Sequence, residues 1–454
     1  MLFQLPSFLV FFLVFCGLLT ILPVRLKLRF VTFASLIFYA WWYPPSVLLL
    51  VGMVIACWLM LKLVSRNPRW LATCVVVSLM PLVLFKYADF ILGTIEGLLG
   101  VDTPRLAWTL PLGLSFVSFT IVSYLVDTAR QPAKRPPEFW PTAVYITFFP
   151  HLIAGPILRA RHIIPQLPRM ALCRAAIMPN LALFTVGILK KVLVADPIGA
   201  YVDKMYATHA SLSSWEAVTT MFGFSIQIYC DFSAYSDMAI ALAGVLGISF
   251  PENFRSPYLA ASMGELWQRW HMTLSLWLRD YVFKPLHTPL HKHFRHLSII
   301  LTMGISGLWH GAAWTFVIWG LAHGLLRALE SMTGYGAFAA SAVGFRRWVC
   351  VALTFLTWCL LAVIFRSPSL EVAHDIIFGS FSRGGWSTWP DTATVPVFIG
   401  LGALAFHPFD RADVVRSWAA RIPRTVLAPV LIVLCLGCMA IASIQPANFY
   451  YFDF

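Results

Sequence analysis

The chain reads as an all-α, polytopic integral membrane protein, and three observations predict it. Of its 454 residues, 59% are hydrophobic and only 12% are charged, roughly half the charged share of an ordinary soluble domain. Several apolar runs reach the roughly 20 residues that a helix needs to cross a hydrocarbon core: Ser7 to Val24, Ser46 to Leu63, Trp70 to Lys86, Trp348 to Phe365 and Val426 to Ile444. None of them alternates with the short period of a membrane β-barrel strand. The first run follows a stretch without basic residues and has no small-residue cleavage pattern after it, so it is expected to be a retained helix rather than a signal peptide.

A formal net charge of +13 would suit a nucleic-acid partner, but the basic residues fall in short clusters between the apolar runs, as in cytoplasmic loops. Nucleic acid is therefore not an expected partner. The early clusters are Arg25, Lys27 and Arg29; Lys62, Arg66 and Arg69; Arg130, Lys134 and Arg135; and Arg159, Arg161, Arg169 and Arg174. Thr142 to Leu158 lies between two of these clusters and contains Pro150, Gly155 and Pro156. It reads as a re-entrant segment, with a cavity expected beside His151 and Gly155, because irregular backbone at membrane depth must be satisfied by protein or water. Leu297 to Glu330 is bounded by Arg295 and His296 on one side and by Arg327, Arg346 and Arg347 on the other. An even number of passes is implied, and a hairpin broken near Gly304, Gly307 and Gly311 would return the chain to the same side with His310 near its apex; one long tilted helix is the alternative that charge counting leaves open.

The chain is treated as one domain spanning residues 1–454, with no internal repeat. Its nine cysteines sit mostly in apolar runs and suggest no disulfide framework, and Cys435 and Cys438 read as helix filler. Walker and dinucleotide fingerprints are absent from the sequence.

His310 is the first candidate for chemistry. It interrupts the apolar run Leu301 to Trp319, and ionisable groups at membrane depth usually face a protein interior and act there. Imidazole is also the side chain best matched to exchanging a proton near neutral pH. A second histidine, His271, falls on the aromatic face formed by Met263, Leu266, Trp267, Trp270, Leu274, Leu278 and Tyr281 at helical spacing, with Arg269 and Arg279 on its polar flanks. Upstream, Tyr229 to Met238 places Asp231 and Asp237 in an apolar stretch; Asp231 and Tyr235 share a helix face, and Asp237 lies on another. A buried polar network that fixes the helices is the simpler role for them, and orienting a substrate the sharper one. The segment from His287 to His296 is rich in histidine, but its spacing fits no zinc pattern and Lys292 and Arg295 would repel a cation. No metal is expected there; an anionic ligand suits it better.

Taken together, Phe38-Tyr-Ala-Trp-Trp42, Pro111 to Phe116, Phe149-Pro-His-Leu-Ile-Ala-Gly-Pro156, Asp231 to Asp237, Glu252-Asn-Phe254, Trp267 to Tyr281 and Gly307-Leu-Trp-His310-Gly resemble the membrane-bound O-acyltransferases (MBOAT), and within them the bacterial alginate O-acetyltransferase-like branch. The resemblance implies a many-helix fold around a transmembrane tunnel with re-entrant segments, His310 as catalytic histidine and His271 as the second functional position. It also implies acetyl-CoA as acyl donor with no bound cofactor, and transfer across the bacterial inner membrane toward hydroxyls of an exported polysaccharide, helped by periplasmic acetyltransferase or polysaccharide-modifying partner proteins. Trp267, Trp270, Arg279, Asp231, Asp237 and Asn253 are the residues expected to contact substrate. Two rival functions stand beside this one: D-alanyl transfer to teichoic acid on a related scaffold, and a non-enzymatic transporter with an intramembrane proton relay. The aromatic tail Asn448 to Phe454 is expected to anchor at the membrane interface or to dock a partner.

Overall fold

The computed structural model describes residues 2–131, 137–290, 294–383, 385, 386, 388–444, 447, 449 and 450. Lys134, Arg135, His291, Lys292, His293, Asn448 and residues 451–454 lie outside the described residues. Among the described residues every regular element is helical. Six helices are long and apolar enough to cross a membrane: Ser46–Arg66, Pro68–Leu99, Ile177–Ala207, Gly344–Arg366, Asp391–Phe409 and Arg424–Ile444. The chain is thus a multi-pass integral membrane protein. Four of the six coincide with runs expected from the sequence. The first expected run forms a 16-residue helix, Pro6–Ile21, short of a span, because Pro23 follows its end.

Two spanning helices escaped the hydropathy reading, and Ile177–Ala207 shows why. It carries Lys190 and Lys191 near its middle, and each has a carboxylate partner. Lys190 Nζ donates to both oxygens of Asp410, at 2.9 and 3.1 Å, and to Ser233 Oγ at 3.0 Å, while Tyr229 donates its hydroxyl to the same Asp410 at 2.7 Å. Lys191 lies 2.7 Å from Asp196 and 2.8 Å from Asp231. Charges that would forbid insertion on an isolated helix are thus compensated by residues distant in sequence.

The chain forms two compact units, Met1–Phe184 with Ser236–Pro251, and Thr185–Tyr235 with Glu252–Phe454. In the first, Phe149 is ringed by Phe11, Phe15 and Phe38 at centroid distances of 5.4, 5.2 and 5.6 Å. The segment expected to re-enter is indeed broken into two short helices, Phe139–Thr147 and Phe149–Leu152. Its polar groups are satisfied by protein. Ser35 accepts the Phe149 N–H, His151 Nε2 donates to the Tyr145 carbonyl at 3.0 Å, and Tyr145 donates its hydroxyl to the Leu158 carbonyl. The His151 ring is packed against Tyr145, Phe148 and Phe250.

The second unit contains the hairpin. Arg295–His310 and Trp314–Thr333 are two helices joined by the extended residues around Gly311; of the two arrangements open to Leu297–Glu330, the hairpin is the one formed. Glycine makes it possible. A Cβ on Gly307 would meet the Phe316 carbonyl oxygen, and one on Gly320 the Met303 carbonyl oxygen, so the two backbones are in direct contact, as small residues allow between membrane helices. Of the tail, only Phe449 and Tyr450 are among the described residues. Phe449 stacks on Tyr235 at 5.1 Å, and the Tyr450 N–H donates to Asp231 at 2.7 Å; a buried carboxylate and an aromatic face on one helix hold these two residues inside this unit.

Two outcomes follow for stability. Gly307→Ala or Gly320→Ala is expected to abolish folded protein in detergent or to lower its thermal midpoint sharply, whereas Gly437→Ala, where a Cβ would meet nothing within 4 Å, leaves it unchanged. Asp410→Ala, which strands the Lys190 ammonium, is expected to cost about 3–5 kcal/mol, and Lys190→Met with Asp410→Leu to recover much of that loss in a denaturation cycle.

Candidate functional site

The apolar spacing around His271 predicts one continuous helix, but the structure divides it. Met263–Arg269 ends before Trp270, which is extended; His271 takes φ +40° and ψ 53°, and Met272–Leu278 resumes the helix. The physical reason is a competing backbone partner. The Arg255 N–H donates to the Arg269 carbonyl and the Met272 N–H to the Asn253 carbonyl, both at 2.9 Å, so residues 253–255 take bonds on both sides of the break. Left-handed backbone at a residue other than glycine is uncommon, costs energy and tends to gather at functional sites.

The break turns the His271 ring toward Asn253, whose Oδ1 lies 3.1 Å from Nδ1. The same oxygen accepts the Thr273 N–H at 3.2 Å and the Thr273 hydroxyl at 2.7 Å, which identifies it as the amide oxygen. An amide oxygen only accepts, so Nδ1 carries the hydrogen and Nε2 of the neutral ring carries a lone pair. That Nε2 is buried and has no hydrogen-bond partner among the described residues. His271 lies outside the six spanning helices, and complete burial pushes its imidazole down to about 3, which keeps it neutral and basic in form.

His310 is the last residue of the first hairpin helix and is buried at the apex. Its ring lies 4.8 Å from that of Trp309, 5.3 Å from Trp319 and 5.3 Å from Phe365; Trp309 in turn lies 6.1 Å from His271. One aromatic side chain therefore links the two histidines selected from sequence. A third, His323, was not selected. It is fully buried on the second hairpin helix, 4.6 Å from Trp319 and 5.3 Å from Trp267 by ring centroids. The available signal was its place in the same segment as His310, Leu297 to Glu330, 13 residues on.

The remaining candidates separate into those near the histidines and those away from them. Trp267 touches Trp319 and His323, Trp270 packs on Trp358 at 4.5 Å, and Asn253 holds His271. Arg279 is exposed and paired with Asp280. Asp231 is occupied by Lys191 and the Tyr450 N–H, with its neighbour Phe232 edge-on to His271 at 4.6 Å. Asp237 is half-buried in the other unit. Among the described residues no group of three or more His, Cys, Asp or Glu could hold a metal.

At the far end of the hairpin from His310 is a polar cavity of about 570 Å³, lined by Ser262, Gln268, Arg295, Arg327, Arg347 and Glu265 among others. Arg295, Arg327 and Arg347, three of the basic residues that bracket the hairpin in sequence, thus line one space. Burial raises the Glu265 carboxyl, but the Ala261 N–H and the guanidinium groups of Arg269 and Arg347 outweigh it and hold the group below the usual carboxylate range. Arg327, His323 and Trp319 follow at four-residue spacing on one helix face, so a single stripe of side chains leads from the cavity wall to the ring that packs on His310.

Asn253→Leu is expected to lower stability by about 2–4 kcal/mol, because it leaves His271 Nδ1 and both Thr273 donors without their acceptor. Asn253→Asp, which keeps an oxygen there, is expected to recover most of the thermal midpoint in detergent.

Residues 37–373 match the family model MBOAT, membrane-bound O-acyltransferase family, a range that contains His271, His310 and His323. The chain is 36% identical over 399 residues to the probable alginate O-acetylase AlgI of Pseudomonas aeruginosa, covering 85% of this chain and 76% of that protein. It is 33% identical over 390 residues to the peptidoglycan O-acetyltransferase of Helicobacter pylori, covering 78% and 73%. To the teichoic acid D-alanyltransferase of Bacillus subtilis it is 26% identical over 285 residues, covering 58% and 70%. Motifs, helical membrane fold and relatives agree, and the chain belongs to the membrane-bound O-acyltransferase family: it is an O-acyltransferase.

Proposed function

We propose that this enzyme passes an acetyl group from cytoplasmic acetyl-CoA across the bacterial inner membrane toward hydroxyl groups of an exported polysaccharide, with His310 as the catalytic histidine and His271 beside it. The observation that carries the reading is the pair of buried histidines joined through Trp309, one of them held by Asn253 so that its Nε2 presents a lone pair. In the reaction the acceptor hydroxyl oxygen forms a bond to the thioester carbonyl carbon, a neutral imidazole takes the hydroxyl proton, the carbon–sulfur bond breaks, and the proton passes to the departing sulfur. Thioester and alcohol become ester and thiol, with no further reactant. A site lined by Trp309, Trp319 and Phe365 excludes water that would otherwise hydrolyse the thioester.

Three arginines around one cavity suit the phosphates of a nucleotide-bearing donor, for which guanidinium is the preferred partner. Acetyl rather than D-alanyl transfer is supported by the relatives: the two O-acetyl enzymes align over most of this chain at 33% and 36% identity, the D-alanyltransferase over 58% of it at 26%. The polymer and the periplasmic proteins that receive or deliver the acetyl group belong to the same proposal. A transporter no longer competes, since the chain is an acyltransferase.

The test is the base-labile acetate and D-alanine content of exported polymer from cells carrying wild type, His310→Ala or His271→Ala at matched membrane levels. Acetate is expected to fall at least about 100-fold for His310→Ala with polymer yield unchanged. Unchanged acetate would sink the assignment, and loss of D-alanine instead would establish the alternative donor.

A further inference from the structure

Trp267 Nε1–H donates to His323 Nδ1 at 3.4 Å. An indole N–H can only donate, so the ring nitrogen facing Trp267 carries the lone pair and the other, Nε2, carries the hydrogen. His323 therefore has the opposite tautomer to His271. Its Nε2–H is fully buried and has no hydrogen-bond partner among the described residues. The same holds for the Nε1–H of Trp358, whose ring lies 5.8 Å from that of His323. A buried donor without an acceptor bears its whole desolvation cost, and two side by side point to an acceptor oxygen supplied from outside the chain.

We propose that His323 Nε2–H and Trp358 Nε1–H form a donor pair for an amide carbonyl in the arm of the thioester donor, between the arginine cavity and His310. The inference rests on the acetyl-CoA reading above. Three observations favour that occupant. Arg327, in the cavity wall, and His323 are one helical turn apart on the same face, and Trp319, one turn further, touches His310. From Arg327 to Trp319 the helix rises about 12 Å, a reach that an extended pantetheine arm covers easily. The surrounding Trp267, Trp270 and Trp319 are apolar, which matches a chain of methylene groups interrupted by amides. His323 and Trp358 act here as binding residues that set the depth of the arm; neither takes part in bond making.

The experiment measures binding of acetyl-CoA, free coenzyme A and adenosine 3′,5′-bisphosphate, which lacks the arm, to the purified full-length protein in detergent. Trp358→Phe removes the N–H together with part of the ring, which the adenosine bisphosphate control reads as general distortion if it matters; His323→Phe removes the other donor, and His323→Gln retains an N–H donor. Trp358→Phe and His323→Phe are each expected to weaken acetyl-CoA and coenzyme A about fivefold, the worth of one neutral hydrogen bond, with adenosine bisphosphate unaffected and His323→Gln close to wild type. Wild-type affinity for acetyl-CoA in both phenylalanine variants would overturn this inference alone, water then being the partner of both donors. Equal weakening of adenosine bisphosphate would also overturn it, as a sign of general distortion. Failure of wild type to bind acetyl-CoA would overturn the donor reading, and this inference with it.

Discussion

Direct contact between two backbones organises the site. Where the hairpin helices cross, Gly307 and Gly320 leave no room for a side chain on either, and this closeness decides what can stand around them. With the helices so near, Trp319 comes edge-on to His310, and His323 lies one turn behind it on the same face. A wider crossing would separate the rings and let lipid or water between them. Around His310 and His323 the packing is of aromatic edges and faces.

The neighbours of each histidine decide which nitrogen carries its proton. Asn253 Oδ1 accepts from His271 and so exposes a lone pair at Nε2; Trp267 donates to His323 and so exposes an N–H at Nε2. Two chemically identical side chains thus become an acceptor and a donor through a single hydrogen bond each. Strain contributes as well. His271 reaches Asn253 only because residues 253–255 break the helix and hold His271 in left-handed backbone.

Elsewhere in the second unit charge is handled by pairing. Lys190 with Asp410, and Lys191 with Asp196 and Asp231, are five charged side chains that would each be unfavourable alone in an apolar surrounding. Tyr450 joins this network through Asp231, whose carboxylate meets the Tyr450 N–H and Lys191 as part of the buried polar network that was the simpler of the two roles expected for it.

The amino-acid sequence by itself determined the helical membrane class, four of the six spanning helices, two possible arrangements for Leu297 to Glu330 of which the hairpin is the one formed, and the family. Each of these is written in local composition: run length, the position of basic clusters, glycine in an apolar run, and short motifs. Tertiary structure alone decided the rest. Ile177–Ala207 spans because Asp410, 220 residues from Lys190, cancels a charge that hydropathy counts against it. The helix at His271 breaks because a segment 14 to 19 residues upstream offers its backbone better partners. His323 and the arginine cavity gain meaning only once Trp267 from one helix, and Trp358 and Arg347 from another, are brought against them. Hydrogen-bond partnership and burial depend on neighbours in space, and neighbours in space are what a linear pattern of residues does not record.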